Sequence, residues 1–184
     1  MSMLEGLGPK KKVFDDLEPG DYLFEIAEPS DKGWIMEFVD NLPGSDDEKD
    51  PSCKLEAINW RLRVIQPEEM EGRNFFHSTW IAGTPDKIAK AKRQWDPASF
   101  TYQFLADIGV AMIERGEATI LDDYLNEDGW FLPFGWEGED FVCDTDNLNK
   151  TIGVRFWGSI RMKKRGKAVD AQEYPELTKA WQDK

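Results

Sequence analysis

From Ile152 to Lys163 the chain alternates without a break. Ile152, Val154, Phe156, Gly158, Ile160 and Met162 fall on one side of an extended backbone. Thr151, Gly153, Arg155, Trp157, Ser159, Arg161 and Lys163 fall on the other. A period of two does not fit an amphipathic helix. It demands a strand with one apolar and one wet face, and therefore a sheet to bury the apolar side. Lys54 to Ile65 repeats the pattern, with Ile58, Trp60, Leu62 and Val64 on one side and Asn59, Arg61 and Arg63 on the other. Two such strands in one sheet would place Arg61, Arg63, Arg155, Trp157 and Arg161 on a common outer surface.

Charge sharpens the contrast. The segment from Asn147 to Val169 holds seven basic and no acidic residues, in a chain of net charge −13. The other 161 residues carry 16 basic against 36 acidic side chains. Overall acidity argues against a nonspecific duplex-DNA binder, which is usually basic throughout. A confined basic strand remains compatible with a polyanion, because exposed charges beyond about 10 Å are screened at 0.1 M salt. Cations flanking an aromatic ring suit a single strand of nucleic acid, with charge on the phosphates and the ring on a base. The plainer reading of the same residues is a solvated basic face, with Trp157 buried at a contact.

In chain order, residues 1–13 are expected to form a flexible arm and residues 14–167 one domain. Asp21 to Ala27 and Trp34 to Val39 read as strands joined as a hairpin across the Pro29–Gly33 turn. Residues 40–53 are rich in Asp, Pro, Gly and Ser and are expected as a mobile acidic loop. Arg73 to Ile81 should pair with Lys54 to Ile65, with Arg73, Phe75 and His77 on the outer side. Thr84-Pro85-Asp86 opens a helix to about Trp95. A second helix from about Ser99 stacks Phe100, Phe104, Ile108 and Met112 and closes at Gly116. A short strand is expected around Phe141 and Val142. Residues 168–184 form a tail, with one helical turn at Leu177 to Trp181.

Several chemistries lack a motif. Cys53 and Cys143 have no zinc-site spacing, and Asp46, Asp47, Glu48 and Asp50 lack the Gly and distal Glu of a calcium loop. His77 is the sole histidine, no nucleotide-binding glycine motif occurs, and the acidic residues select no metal-ligand set. No catalytic residue, metal or cofactor is assigned. With no secretory leader or membrane-spanning run in the sequence, the expected location is the cytoplasm.

The order of elements resembles that of phage and prophage single-stranded-DNA-binding proteins of replication and recombination modules, a largely uncharacterised family of OB-fold type. Similar segments are Pro19-Gly20-Asp21-Tyr22, Ile58 to Val64, and Gly72-Arg73-Asn74-Phe75-Phe76. Phe104 to Gly109 and the strand from Asn149 to Trp157 also look similar. The resemblance spans about residues 14 to 165 and implies a mainly β, α+β fold, an OB-like five-stranded barrel with two inserted helices. It implies binding of single-stranded DNA without base specificity, in the host-cell cytoplasm, during phage DNA replication or recombination.

The expected binding residues are Arg61, Arg63, Arg73, Phe75, Arg155, Trp157, Arg161, Lys163 and Lys164. Phosphates would fall to the cations, and bases to Trp157 and Phe75. Replication or recombination proteins would be recruited through the C-terminal tail. Two other classes are compatible with the residues: an acidic interaction protein, such as a DNA mimic or inhibitor of a host factor, and a metal-dependent nuclease.

Overall fold

An 18-residue strand, β3 (Lys49–Gln66), is the spine of the sheet. The computed structural model describes residues 17–41, 49–82, 100–129, 131, 134–137, 140–143, 145–164 and 172–184. The expected N-terminal arm, residues 42–48 of the acidic loop and the helix from Thr84 lie outside the described residues. One edge of β3 pairs with β4 (Asn74–Ala82), setting Ile58 opposite Thr79 and Leu62 opposite Phe75. This is the expected hairpin. The other edge is shared by two strands, β1 (Gly20–Ile26) with Val64 and Leu62, and β2 (Ile35–Asn41) with Ile58 and Ala57.

β1 and β2 therefore run end to end in the same direction and do not form the expected hairpin. The link between them closes on itself. Gly33, at φ 82°, donates its N–H to the Ser30 carbonyl at 2.8 Å, and the chain leaves in the direction it entered. The ladder continues across the break, with Ala27 N–H on the Arg61 carbonyl and Asn59 N–H on the Trp34 carbonyl. Residues 49–53, expected in the loop, are the first residues of β3, where pairing with β2 overrides their poor strand propensity.

On its other side β1 pairs antiparallel with β9 (Arg155–Lys164), and β9 pairs with β10 (Glu173–Gln182). The order is β10-β9-β1-β3-β2, with β4 on the far edge of β3. The expected C-terminal tail and its helical turn are thus replaced over 173–182 by an edge strand. Pro175 is tolerated there because an edge strand needs only one of its two hydrogen-bonding sides. The chain is mainly β with antiparallel sheets, compatible with an α+β class. Among the described residues the sheet is not closed: β4 and β10 are not paired with each other.

Helix α1 (Phe100–Asp107) contacts both β4 and β10, and the Thr101 hydroxyl donates to the Trp80 carbonyl at 2.8 Å. This helix is shorter than expected. Gly109, at φ 88°, ends it, with Val110 N–H on the Leu105 carbonyl and Gly109 N–H on the Ala106 carbonyl. That bond pair is the Schellman stop, and Val110 and Leu105 are both fully buried beside it. Ile108 stays in the core, whereas Met112 moves to β5 (Ala111–Glu114), which pairs with β6 (Glu117–Ile120). Their turn, Arg115-Gly116, has both residues at positive φ, as a two-residue hairpin requires. β7 (Phe134–Glu137) and β8 (Asp140–Cys143) form a further hairpin. Among the described residues no helix is long and apolar enough to cross a membrane.

The inner face of the sheet buries Tyr22, Phe24 and Ile26 of β1 and Ile58, Trp60, Leu62 and Val64 of β3. Phe156 and Ile160 of β9 and Leu177 of β10 complete it. Phe104 of α1 sits over its middle, with ring centroids 5.3 Å from Trp60 and 5.6 Å from Phe156. Trp60 is fully buried and places its indole N–H on the Thr79 hydroxyl at 2.9 Å, so the ring leaves no donor unsatisfied. Gly158 allows the closest approach. A Cβ there would lie 2.6 Å from Leu177 and 2.9 Å from Phe24.

Candidate nucleic-acid interface

The side chains opposite the core form the wet face of the sheet, and strand register arranges them in rows. Arg155, Glu25, Arg63 and Asn74 stand in one row across β9, β1, β3 and β4. Glu25 is its pivot: its carboxylate accepts from Arg155 Nε at 2.9 Å and lies 3.7 Å from Arg63. One row on, Arg61 stands opposite Phe76, and its Nε donates to the Asn74 side-chain oxygen at 3.3 Å. One row in the other direction, Trp181, Trp157 and Leu23 are neighbours across β10, β9 and β1. Leu23 is buried beside Trp157, which explains why the indole is half-buried although it lies on the outer face.

The two tryptophans face each other directly across β9 and β10, the arrangement in which cross-strand aromatic pairs interact. Trp157 donates its N–H to Asp183 at 3.2 Å, and the Lys179 ammonium lies 5.6 Å from the Trp181 ring centroid. A groove of about 620 Å³ opens beside them, lined by Trp157, Trp181, Asp107, Ala180, Gln182 and Lys184. Burial pushes the Asp107 carboxyl above its usual range, against the lowering effect of its hydrogen bond from Gln103. Further along β9, Asp21 accepts the Ser159 hydroxyl at 2.7 Å and lies 3.8 Å from Arg161. Lys163 is 3.6 Å from Glu176 of β10.

The outer face thus brings together Arg61, Arg63, Arg155, Trp157, Arg161 and Lys163, as the alternation predicts. It does not bring in the other three. Lys164 is exposed at the end of β9 on the opposite parity, beyond the core. Arg73 precedes β4, and its charge acts on Tyr22 of the inner face, whose phenol is raised by burial first and by Glu18 second, while Arg73 lowers it. Phe75 is core, only 6% exposed, with its ring centroid 6.2 Å from Phe24. His77 shares that inner parity, 5.0 Å from the Phe104 ring, and burial lowers its pKa to about 4. Neither Phe75 nor His77 faces outward as expected.

On β4 the aromatic side chains that do are Phe76 and Trp80, 49% and 45% exposed. The stretch Asn74-Phe75-Phe76-His77-Ser78-Thr79-Trp80 carries rings on both parities, so alternation cannot choose between them; the pairing of Phe75 with Leu62 does. Trp181 and Lys179 were hidden because β10 buries only Leu177 deeply and shows no clean alternation.

The interleaved carboxylates set what this face can do. The arginines and lysine in its ion pairs are between two- and three-fifths exposed. Such pairs contribute about 0–1 kcal/mol each. An anion would therefore displace a carboxylate here at little cost, and Glu25 ties Arg63 and Arg155 to each other across β1. Among the described residues no group of three or more His, Cys, Asp or Glu side chains is placed to hold a metal ion. Comparison of the chain with protein-family models, with curated proteins and with solved structures finds no match.

Proposed function

We propose that the protein binds single-stranded DNA without base specificity, through the outer face of an open, OB-like sheet, in phage DNA replication or recombination. No catalytic step is assigned to it, and its site of action is the host-cell cytoplasm. The observation that carries the reading is the convergence of Arg61, Arg63, Arg155, Arg161 and Lys163 with the Trp157–Trp181 pair on one face. The cations supply phosphate contacts, and each ring supplies a stacking surface worth about 1–3 kcal/mol per base. The acidity of the remaining chain confines a polyanion to this face.

The test is fluorescence anisotropy of labelled oligo-dT and of duplex DNA at several salt concentrations. With five cations engaged, the slope of log affinity against log salt for the single strand should be about −3.5. Binding of duplex as tight as of single strand, or binding of neither, would refute the reading.

One observation favours a second reading. Arg63, Arg155, Arg161 and Lys163 each have a carboxylate within 4 Å, and the net charge is −13. A protein that presents its acidity to a basic partner would show the same pairing. Its mark is tight binding to a basic protein and none to DNA at low salt.

A further inference from the structure

Two large aromatic side chains on the outer face lie away from the Trp157 platform. Phe76 and Trp80 of β4 are each about half exposed, which leaves apolar ring surface in water at the sheet margin. Trp80 stands opposite Ala57, and Ala57 stands opposite Met36 on its other side. Ala57 is fully buried on this outer row, and the Ser78 hydroxyl lies 3.7 Å from the Met36 sulfur. Trp80 thus stands at the end of a packed row and is 45% exposed.

Register gives the geometry. Relative to the row of Arg155, Glu25, Arg63 and Asn74, Trp157 lies two residues one way and Phe76 two residues the other. Trp80 lies four residues beyond Phe76 on the same strand. At roughly 3.3 Å per residue and 4.8 Å per strand, Phe76 is ~20 Å and Trp80 ~30 Å from Trp157 across the sheet. Between the two ends stand Arg155, Arg63 and Arg61, with Glu25 among them. A diagonal line thus carries a ring pair, three guanidinium groups, a ring and another ring.

We infer that a single strand crosses the sheet along this diagonal, from Trp157 and Trp181 over the three arginines to Phe76 and Trp80, which stack the bases at its far end. The inference rests on the single-strand reading and extends it to a path, a length and two further stacking residues. Duplex DNA keeps its bases stacked inside and cannot use separated rings, whereas a single strand offers a π-face at every nucleotide. A path of ~30 Å accommodates about nine nucleotides at the 3.4 Å rise of a stacked strand, and fewer when the strand is stretched.

The experiment measures affinity for dT4, dT6, dT9, dT12 and dT16 with the wild-type protein, Phe76→Ala, Trp80→Ala and Trp157→Ala, with a melting curve for each. Wild-type affinity should climb steeply up to about nine nucleotides and level off beyond, within the roughly 4–16 covered by one OB fold. Phe76→Ala and Trp80→Ala should each weaken dT12 binding roughly 5- to 150-fold, the equivalent of 1–3 kcal/mol per lost stack, and leave dT4 unchanged. Trp157→Ala should weaken both lengths. If Trp80→Ala melts early, Phe76→Ala decides, since its side chain is half exposed and outside the core. Wild-type affinity that levels off at dT4, or unchanged dT12 binding in both β4 variants, would overturn the diagonal path while leaving the platform at Trp157. Absence of binding to every oligonucleotide would overturn the single-strand reading and the path with it.

Discussion

Replacing Glu25 by Gln should strengthen binding of single-stranded DNA. The Glu25 carboxylate sits between Arg155 at 2.9 Å and Arg63 at 3.7 Å, in the middle of the outer face. A phosphate over these arginines would lie about 7 Å from the carboxylate, where two unit charges repel by about 0.6 kcal/mol at ε 80 and 2.4 kcal/mol at ε 20. Salt at 0.1 M roughly halves the repulsion over that distance. Removing the charge should therefore raise affinity about 2- to 8-fold, and the gain should shrink as salt increases. Against this stands the loss of two half-exposed ion pairs, about 0–1 kcal/mol each. In a chain of 184 residues that lowers the melting temperature by at most about 8 °C. The assay is anisotropy with labelled oligo-dT at 50, 100 and 200 mM salt, alongside a thermal melt. Unchanged or weaker binding by a folded Glu25→Gln protein would show that Arg63 and Arg155 do not face the phosphates.

Three stability predictions test the fold that carries this face. Gly158→Ala would place a Cβ 2.6 Å from Leu177 and 2.9 Å from Phe24, so overpacking should cost about 1–3 kcal/mol. A melting temperature equal to wild type would show that β9 and β10 are not so closely apposed. Phe75→Ala should cost about 3–5 kcal/mol by denaturant titration, because Phe75 is core; a loss below about 1 kcal/mol would return it to the outer face. His77 is a base whose folded pKa, about 4, lies below its ordinary 6.5. The unfolded chain thus binds more protons between these values. Its contribution is fully present above pH 6.5 and falls by about 3 kcal/mol as pH drops to 4. Urea titrations at pH 7 and 4.5 should show a smaller pH loss in His77→Phe than in wild type; equal losses would refute the burial argument.

Strands with one clean wet face were legible in the sequence. β3 and β9 each pair an apolar parity with an arginine-bearing parity, and the structure places those arginines on one surface. Where both parities carry rings, as in β4, the decision belongs to register with a partner strand, which sequence alternation does not contain. The relation of β1 to β2 was hidden for a similar reason. Two strands joined by a short turn ordinarily fold back on each other, but the Ser30–Gly33 closure turns the chain through a loop and returns it to its course.

Edge position hid β10. Its neighbours bury only Leu177 deeply, so the segment carries too little periodicity to distinguish a strand from a tail. Gly109 marks the stop of α1 in the chain, against an apolar spacing that continues through Met112. Trp181, and with it the ring pair of the interface, is defined by the pairing of β10 with β9.

The central claim is that rings and cations on the outer face of the sheet meet a single strand. Titration of intrinsic tryptophan fluorescence with oligo-dT, at low and at high salt, tests it most directly. The account predicts quenching that saturates with single-stranded DNA, moves to higher concentration as salt rises, and diminishes in Trp157→Ala. Fluorescence unchanged by oligo-dT at low salt would contradict it.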